Sequence, residues 1–182
     1  MMRDERGDTL VEVLIAVAVL SAAIVGGLGI MSFGYSIANN AVERTQVQAS
    51  MNSQLAMISY ARDAYVRANK QATDGGSKAW QAIMSYVTNG APNANVCNGA
   101  TPQPSGGFYL TEDIASLDET NVTAYNGAAA TTFAQPGSGM WVEGRKAGGS
   151  VNYVDFYVKS CWSAIGARED QTSRTVMRLY VP

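Results

Sequence analysis

The residue with the clearest chemical potential is Glu12, a carboxylate inside an apolar run. The run extends from Leu10 to Ile30, and Glu12 is its only charged residue. A carboxylate at the centre of a membrane span costs about 2.5–3.5 kcal/mol, so one is kept where it is shallow, paired or functional. The chemistry that such a group offers is recognition of a positive charge. The alternative is an acid close enough to the lipid headgroups to stay hydrated.

The rest of the sequence gives little support for catalysis. The chain has no histidine, and its two cysteines, Cys97 and Cys161, are far apart. No zinc-type ligand set and no cysteine–histidine pair can therefore be assembled. We predict that the chain is not an enzyme and that it uses no metal or other cofactor. The formal net charge is −2 and there is no basic patch, so a nucleic-acid partner has no electrostatic support.

Two further groups of residues could bind ligands. The first is acidic, and its spacing matches no calcium-binding loop, which favours a solvated loop. Its members are Glu112, Asp113, Asp118 and Glu119. The second is aromatic and could face a ligand, although such side chains more often form cross-strand packing pairs. Its members are Trp141, Tyr153, Tyr157 and Tyr180.

The apolar run has the length of a membrane span. A helix over Leu10–Ile30 would rise about 30 Å, close to the thickness of a bilayer hydrocarbon core. Arg3 and Arg6 precede it, and no other Lys or Arg occurs before Arg44. This asymmetry predicts a cytoplasmic N-terminus and an exported remainder. No A-x-A-like cleavage site follows the run, so we expect the span to be retained.

The residues around Glu12 resemble a known processing motif. Residues Gly7–Ala16 read GDTLVEVLIA, which is similar to the prepilin motif of the type IV pilin and pseudopilin family, commonly G-F-T-L-I-E-x-L-[IV]-[AV]. The departure is Asp8, where phenylalanine is most usual. The resemblance implies cleavage after Gly7 by a prepilin peptidase, usually with methylation of the new amine on Asp8. It also implies that Glu12 is the assembly residue, acting together with that amine.

The resemblance further implies a pilin-like α+β fold, in which a long N-terminal helix packs on a C-terminal antiparallel sheet. The implied partners are other pilin subunits, the prepilin peptidase and the inner-membrane assembly machinery. The precursor would be a single-pass protein of the cytoplasmic membrane. The mature subunit would belong to an extracellular pilus.

Residue patterns predict a similar layout independently. We expect a leader at 1–7, a membrane half of a long helix at 8–35 and an outer half at 36–72, because no proline occurs before Pro92. A stripe of apolar residues at helical spacing is typical of a helix packed on its own domain. Its members are Val47, Met51, Leu55, Ile58 and Tyr65. Glu43 falls largely on another face.

The head, residues 73–182, is predicted to begin with a helix stop at Thr73–Gly76 and a second helix at 77–88. Ser77 is the expected N-cap of that helix, and Asn89-Gly90 its stop. Phe108–Leu110 and Asn121–Tyr125 are possible short strands.

The C-terminal part of the head is predicted as an antiparallel sheet at about 139–181, with one face buried and one wet. We expect a strand at Met140–Glu143, a turn at Gly144–Ser150 and a long strand after it. Alternation places Val154, Phe156, Val158 and Trp162 on one face of the long strand. It places Tyr153, Asp155, Tyr157 and Lys159 on the other.

Cys97 and Cys161 both fall on the exported side, where thiols oxidise if the environment allows. A bridge between them would stabilise the chain by about 4 kcal/mol in the chain-entropy model. Free thiols, one buried beside Trp162, are the alternative.

A cluster of glycines, Gly26, Gly27, Gly29 and Gly34, lies near the outer end of the span. In lipid the helix is enforced, because backbone groups cannot be left unpaired there. In a filament this segment could melt, as it does in the family that the chain resembles. Close helix packing through small residues is the alternative.

Three functions fit these patterns. The first is a major or minor pilin, and the second is a pseudopilin of a secretion or DNA-uptake machine. The third is a signal-anchored surface binding module that never polymerises. Gly7 and Glu12 favour the first two, and the N-terminal sequence of the mature protein separates them from the third.

Overall fold

The computed structural model describes residues 6–93, 106–111, 114–125, 134–146, 152–163 and 170–181, with side chains from Leu10 onward. Its first element, α1, is one helix over Arg6–Arg67. By length and composition, the part of α1 that begins at Leu10 could cross a membrane. The chain divides into two compact units, residues 1–41 and 42–182.

In the first unit the side chains from Leu10 to Tyr35 are all exposed. Leu28 is 62% exposed and Ile30 is 77% exposed, and most of their neighbours are equally apolar. A helix that is apolar all round is typical of a membrane span or of a helix buried by partners. Covering one such side chain gains about 1.5–3 kcal/mol, so an apolar environment would stabilise this segment.

The helix α1 ends in a Schellman motif, earlier than the predicted end at residue 72. Asn69 and Lys70 adopt positive φ angles of 52° and 63°. The Asn69 N–H donates to the Val66 carbonyl at 3.2 Å, and the Lys70 N–H donates to the Tyr65 carbonyl at 2.9 Å. Asparagine takes the place of the usual glycine because its short polar side chain tolerates the left-handed region.

The second helix, α2, spans Gly75–Ser85 rather than the predicted 77–88. Its N-cap is Asp74, not Ser77. The Asp74 carboxylate accepts a hydrogen bond from the Ser77 N–H at 2.7 Å, and the Ser77 hydroxyl accepts one from the Asp74 N–H at 3.0 Å. The Ser77 N–H thereby holds the pKa of the Asp74 carboxyl below its usual value. The predicted stop at Asn89-Gly90 is wrong, because α2 has already ended and Asn89 belongs to a strand.

In the described part of the chain, seven strands form one sheet. They are β1 (Thr88–Asn89), β2 (Gly107–Leu110), β3 (Val122–Ala124), β4 (Gln135–Pro136), β5 (Gly139–Lys146), β6 (Tyr153–Trp162) and β7 (Gln171–Tyr180). The main path runs β3-β2-β5-β6-β7, and its neighbours are antiparallel. The two short strands β1 and β4 pair in parallel with β5.

The predicted C-terminal antiparallel sheet is confirmed, with two corrections. The sheet also includes β1 to β4, which precede the predicted range of about 139–181, and two of these, β2 and β3, correspond to the short strands predicted at Phe108–Leu110 and Asn121–Tyr125. Gly144 and Arg145, predicted as the start of a turn, continue β5 and pair with Phe156 and Asp155 of β6. The structure therefore has an α+β layout with a long N-terminal helix.

The core of the head lies between α1 and one face of β6. Val154, Phe156 and Val158 have no exposed surface, and neither have Met51 and Ile58 on α1. The predicted apolar faces of these two elements are confirmed. The stripe of α1 is thus the inner side of a helix packed on a sheet.

Two polar side chains of α1 are also buried. The Gln54 amide nitrogen donates to the Leu110 carbonyl and its oxygen accepts from the Leu110 N–H, both at 2.9 Å. This amide satisfies the backbone where β2 no longer pairs with β5. Glu43 is only 4% exposed, so its predicted place on a polar face is wrong. Its Oε2 has no hydrogen-bond partner among the described residues.

Candidate functional site

The residues of the predicted processing site lie at the start of α1. Gly7 and Asp8 follow Arg6, the first residue of the helix. The prepilin-like motif predicts that Gly7 belongs to a leader that precedes the helix, whereas the structure includes it in the first turn. A peptidase that requires an extended backbone would have to unwind that turn. The Asp8 side chain lies outside the described part of the chain.

Glu12 is the single charged side chain of an exposed apolar surface that begins at Leu10. It lies one helical turn after Asp8, and α1 is regular between them. No ion pair or hydrogen bond between described side chains includes Glu12. Its immediate neighbours Val11 and Val13 are 55% and 61% exposed, so nothing described in the chain shields the carboxylate. The geometry leaves Glu12 available to a positive group outside the described residues.

The glycines proposed for melting lie within an unbroken helix. Gly26, Gly27 and Gly29 belong to α1, and a Cβ built on any of them meets no atom within 4 Å. The segment therefore offers a smooth, open surface to lipid or to another helix. Melting in a filament stays a prediction.

The head contains a buried charged cluster that the sequence patterns did not indicate. The carboxylate of Glu143 accepts hydrogen bonds at Oε1 from Lys159 Nζ, 2.7 Å, and Trp141 Nε1, 3.0 Å. At Oε2 it accepts from Arg145, 3.0 Å, and from the Asn93 N–H, 3.0 Å. Lys159 Nζ also donates to the Asn93 carbonyl at 2.6 Å. We call these five residues the Glu143 cluster.

The electrostatics of the Glu143 cluster follow from its burial. Glu143 and Lys159 are 0% exposed, and Arg145 is 7% exposed. Burial raises the pKa of the Glu143 carboxyl, but its hydrogen-bond donors, Lys159 first, outweigh that effect and hold the pKa below its usual value. Burial lowers the pKa of Lys159, and the charge of Glu143 opposes this fall. The carboxylate stays ionised and fully bonded at neutral pH.

The Glu143 cluster binds the backbone of Asn93, at the end of the described segment 6–93. Both backbone groups of Asn93 are held, one by Glu143 and one by Lys159. Arg145 additionally donates to the hydroxyl of Thr88 in β1. The cluster therefore fastens the segment after α2 onto the second face of the sheet.

A sequence signal for this cluster exists in retrospect. Trp141, Glu143 and Arg145 alternate on one strand, opposite Lys159 on the next. The predicted turn at Gly144 removed Arg145 from that pattern. Lys159 was assigned to the wet face of its strand, which is wrong because the segment at Asn93 covers that part of the face.

Cys161 lies on β6, two residues after Lys159. It is 5% exposed and packs with Trp141 and Tyr125. It is disulfide-bonded. Cys97, its predicted partner, lies outside the described residues, so the pairing itself stays a prediction.

The four predicted aromatic residues separate into two environments. Trp141 is 4% exposed and stacks on Tyr125 with ring centroids 5.0 Å apart. Tyr153 and Tyr180 form an edge contact at 6.3 Å on the open part of the same sheet face. Tyr157 lies on the same face of β6 as Tyr153.

Two arginines of β7 form cation–π contacts with these tyrosines. Arg178 lies 4.1 Å from the Tyr153 ring centroid, and Arg174 lies 5.4 Å from that of Tyr157. Arg178 also forms a bidentate ion pair with Asp155, at 2.7 and 2.8 Å, which raises the pKa of its guanidinium. The residues of this tyrosine–arginine patch are Tyr153, Tyr157, Arg174, Arg178 and Tyr180.

The acidic group of the sequence analysis is only partly described. Glu112 and Asp113 lie outside the described residues. Asp118 caps the 3₁₀ turn Glu119–Asn121, accepting from the Glu119 N–H and donating its own N–H to Asn121. Among the residues that the structure describes, no group of three or more His, Cys, Asp or Glu side chains could hold a metal ion.

Comparison with known proteins gives no match to a family model, a curated protein or a solved structure.

Proposed function

We propose that this chain is a filament subunit of the type IV pilin class, processed after Gly7 and assembled through the first half of α1. The observation that carries the proposal is the exposed, apolar helix segment with Glu12 as its single charge. The GDTLVEVLIA motif and the layout of a long helix with a sheet-based head support it. A pseudopilin of a secretion or DNA-uptake machine would use the same chemistry in a shorter fibre.

The proposed mechanism is charge recognition between copies. Cleavage after Gly7 leaves an α-amino group on Asp8, which is cationic near neutral pH because its ordinary pKa is about 7.7–8.0. In an apolar environment the unpaired carboxylate of Glu12 is strongly penalised. The Asp8 amine of a neighbouring copy removes that penalty only at one axial offset. Pairing therefore sets register, while the apolar side chains around Glu12 provide the packing area.

The Asp8 side chain is expected to weaken the proposed pairing. Its own carboxylate lies next to the new amine and competes with Glu12 for it. Replacing Asp8 with phenylalanine, the usual residue of the motif, removes that competitor. We expect Asp8→Phe to be processed and to assemble at least as well as the natural chain.

The experiment that tests the proposal is the N-terminal sequence of protein extracted from the cell surface. A mature chain that begins at Asp8 supports the pilin class. A Gly7→Val variant should accumulate as precursor, while Ser21→Val, a matched change farther along α1, should be processed normally. Surface protein that retains Met1 would instead identify a signal-anchored module that does not polymerise.

A further inference from the structure

We propose that the tyrosine–arginine patch binds an acidic polysaccharide in which carboxylated and neutral sugars alternate. The patch lies on the outer face of β6 and β7, opposite the face that packs on the core. It goes beyond filament assembly, because it belongs to the head and uses none of the residues of the processing site.

The patch is accessible on β7. The outer face of the sheet is covered over β5, where the Glu143 cluster holds the segment at Asn93. Over β7 it is open: Val176 is 53% exposed and Tyr180 is 66% exposed. Alternate residues of β7, from Arg174 to Tyr180, therefore form a flat strip about 20 Å long, given a rise of about 3.3 Å per residue. A strip of this shape suits an extended polymer.

The patch carries two positively charged side chains, which differ in their pairing. Arg178 is already paired with Asp155, at 2.7 Å. Arg174 is exposed and packs on Tyr157, and no carboxylate of the described residues lies within ion-pair distance of it. Its planar guanidinium can bind a carboxylate through two parallel hydrogen bonds. The ligand should therefore carry carboxylates.

The strip also carries apolar and aromatic side chains between and beside its arginines. A tyrosine ring presents a flat apolar face with a hydroxyl at its end, which suits the C–H face and hydroxyls of a sugar ring. Val176 gives an apolar contact next to Arg174 on β7, and Tyr180 gives a ring face at the other end of the strip, beside Tyr153. A polymer that alternates uronate with neutral sugar would match this succession of guanidinium and apolar surface.

Single-stranded nucleic acid also combines stacking with negative charge, but the charges disfavour it. Nucleic-acid affinity grows with the number of phosphates that Lys and Arg neutralise. Counting only described carboxylates, one guanidinium of the patch has no such partner, and the chain has a formal net charge of −2. A polyanion with one charge per residue is therefore repelled more than a sparsely charged polysaccharide.

The test measures binding of detergent-solubilised full-length chain to hyaluronan, to neutral dextran and to single-stranded oligo-dT. We expect binding to hyaluronan alone, weakened by salt. Arg174→Gln should lower the affinity about tenfold or more, as expected for a charge-assisted hydrogen bond, and Arg174→Lys should restore part of it. Tyr180→Ser should weaken binding less.

The matched control is Arg67→Gln, because Arg67 lies over the Tyr60 ring of α1 at 5.9 Å, outside the patch. This variant should bind hyaluronan like the natural chain. Failure to bind hyaluronan, equal binding to dextran, tighter binding to oligo-dT, or equal losses in the two Gln variants would each overturn the proposal. None of these results depends on filament formation, so they leave the proposed function untouched.

Discussion

Glu12 and Glu143 are carboxylates in opposite hydrogen-bonding environments. Glu143, in the head, accepts hydrogen bonds from Lys159, Trp141, Arg145 and Asn93. Glu12 stands on an exposed apolar helix with no partner among the described side chains. The Glu143 cluster thus pairs its buried charges within the chain, whereas the carboxylate of Glu12 has no such pairing among the described side chains. The comparison separates a charge that is paired within the chain from one that, in the proposed function, a neighbouring copy pairs.

The largest expected effect on stability is that of Glu143→Gln. The substitution removes the negative charge and leaves Lys159 and Arg145 buried without it, and breaking a buried pair from one side costs about 3–5 kcal/mol. Urea unfolding of the solubilised chain measures this loss. The control is Asp155→Asn at the exposed pair with Arg178, which should barely move the unfolding midpoint. Equal losses in the two variants would show that the Glu143 cluster contributes nothing particular to the head.

Reduction of the disulfide at Cys161 should have the next largest effect. A bridge of this kind typically contributes about 2–4 kcal/mol, since it restricts the unfolded chain. Reduced protein should therefore unfold at lower urea, and native protein should offer no thiol to an alkylating reagent under non-reducing conditions. Two alkylatable thiols in native protein would contradict the bridge between Cys97 and Cys161.

A pair of glycine substitutions compares packing in the two regions. A Cβ on Gly76 of α2 would lie 2.8 Å from the Ala64 Cβ and 3.2 Å from the Tyr60 ring. Gly76→Ala should therefore lower the free energy of unfolding by about 1–3 kcal/mol, as overpacking does. Gly27→Ala meets nothing within 4 Å outside the backbone of its own helix and should not destabilise the unassembled chain, because alanine favours a helix over glycine by about 1 kcal/mol. If Gly27→Ala reduces filament yield alone, the open surface at Gly27 is covered by another copy.

The smallest effect is a change in the pH dependence of stability. The folded state holds the pKa of Glu143 below its usual value, so its stabilising contribution is complete above the unfolded pKa of about 4.3. That contribution is lost as the pH falls through the lower, folded pKa. The free energy of unfolding should therefore fall less steeply below about pH 4.3 in Glu143→Gln than in the natural chain. Parallel curves would show that Glu143 is not stabilised as an anion.

The sequence predicted those parts of the fold that depend on one periodic pattern. The apolar run from Leu10 and the alternation of Val154, Phe156 and Val158 each indicate their structure directly. The ends of the helices were harder to predict, because they depend on single residues. Asn69, in the left-handed region, ends α1, and Asp74 caps α2. Such local competition between capping groups is not visible in composition.

The burial of the Glu143 cluster was not predicted, because it depends on tertiary contacts. Asn93 is 50 residues from Glu143 in sequence and is bonded through its backbone, which carries no sequence signal. Lys159 follows the alternation of a wet strand face and is buried only because that segment covers it. In contrast, Glu12 and Gly7 could be identified early, since their significance lies in local sequence and not in a packed site.

The most direct test of the central claim is the filament yield of Glu12→Leu. The variant should enter the membrane at least as well as the natural chain and should still be cleaved after Gly7, but it should form no filaments. Ser21→Leu introduces the same side chain into the same exposed helix and keeps the carboxylate, so its filament yield should be close to normal. A normal yield of filaments from Glu12→Leu would show that Glu12 is a hydrated boundary residue with no part in assembly.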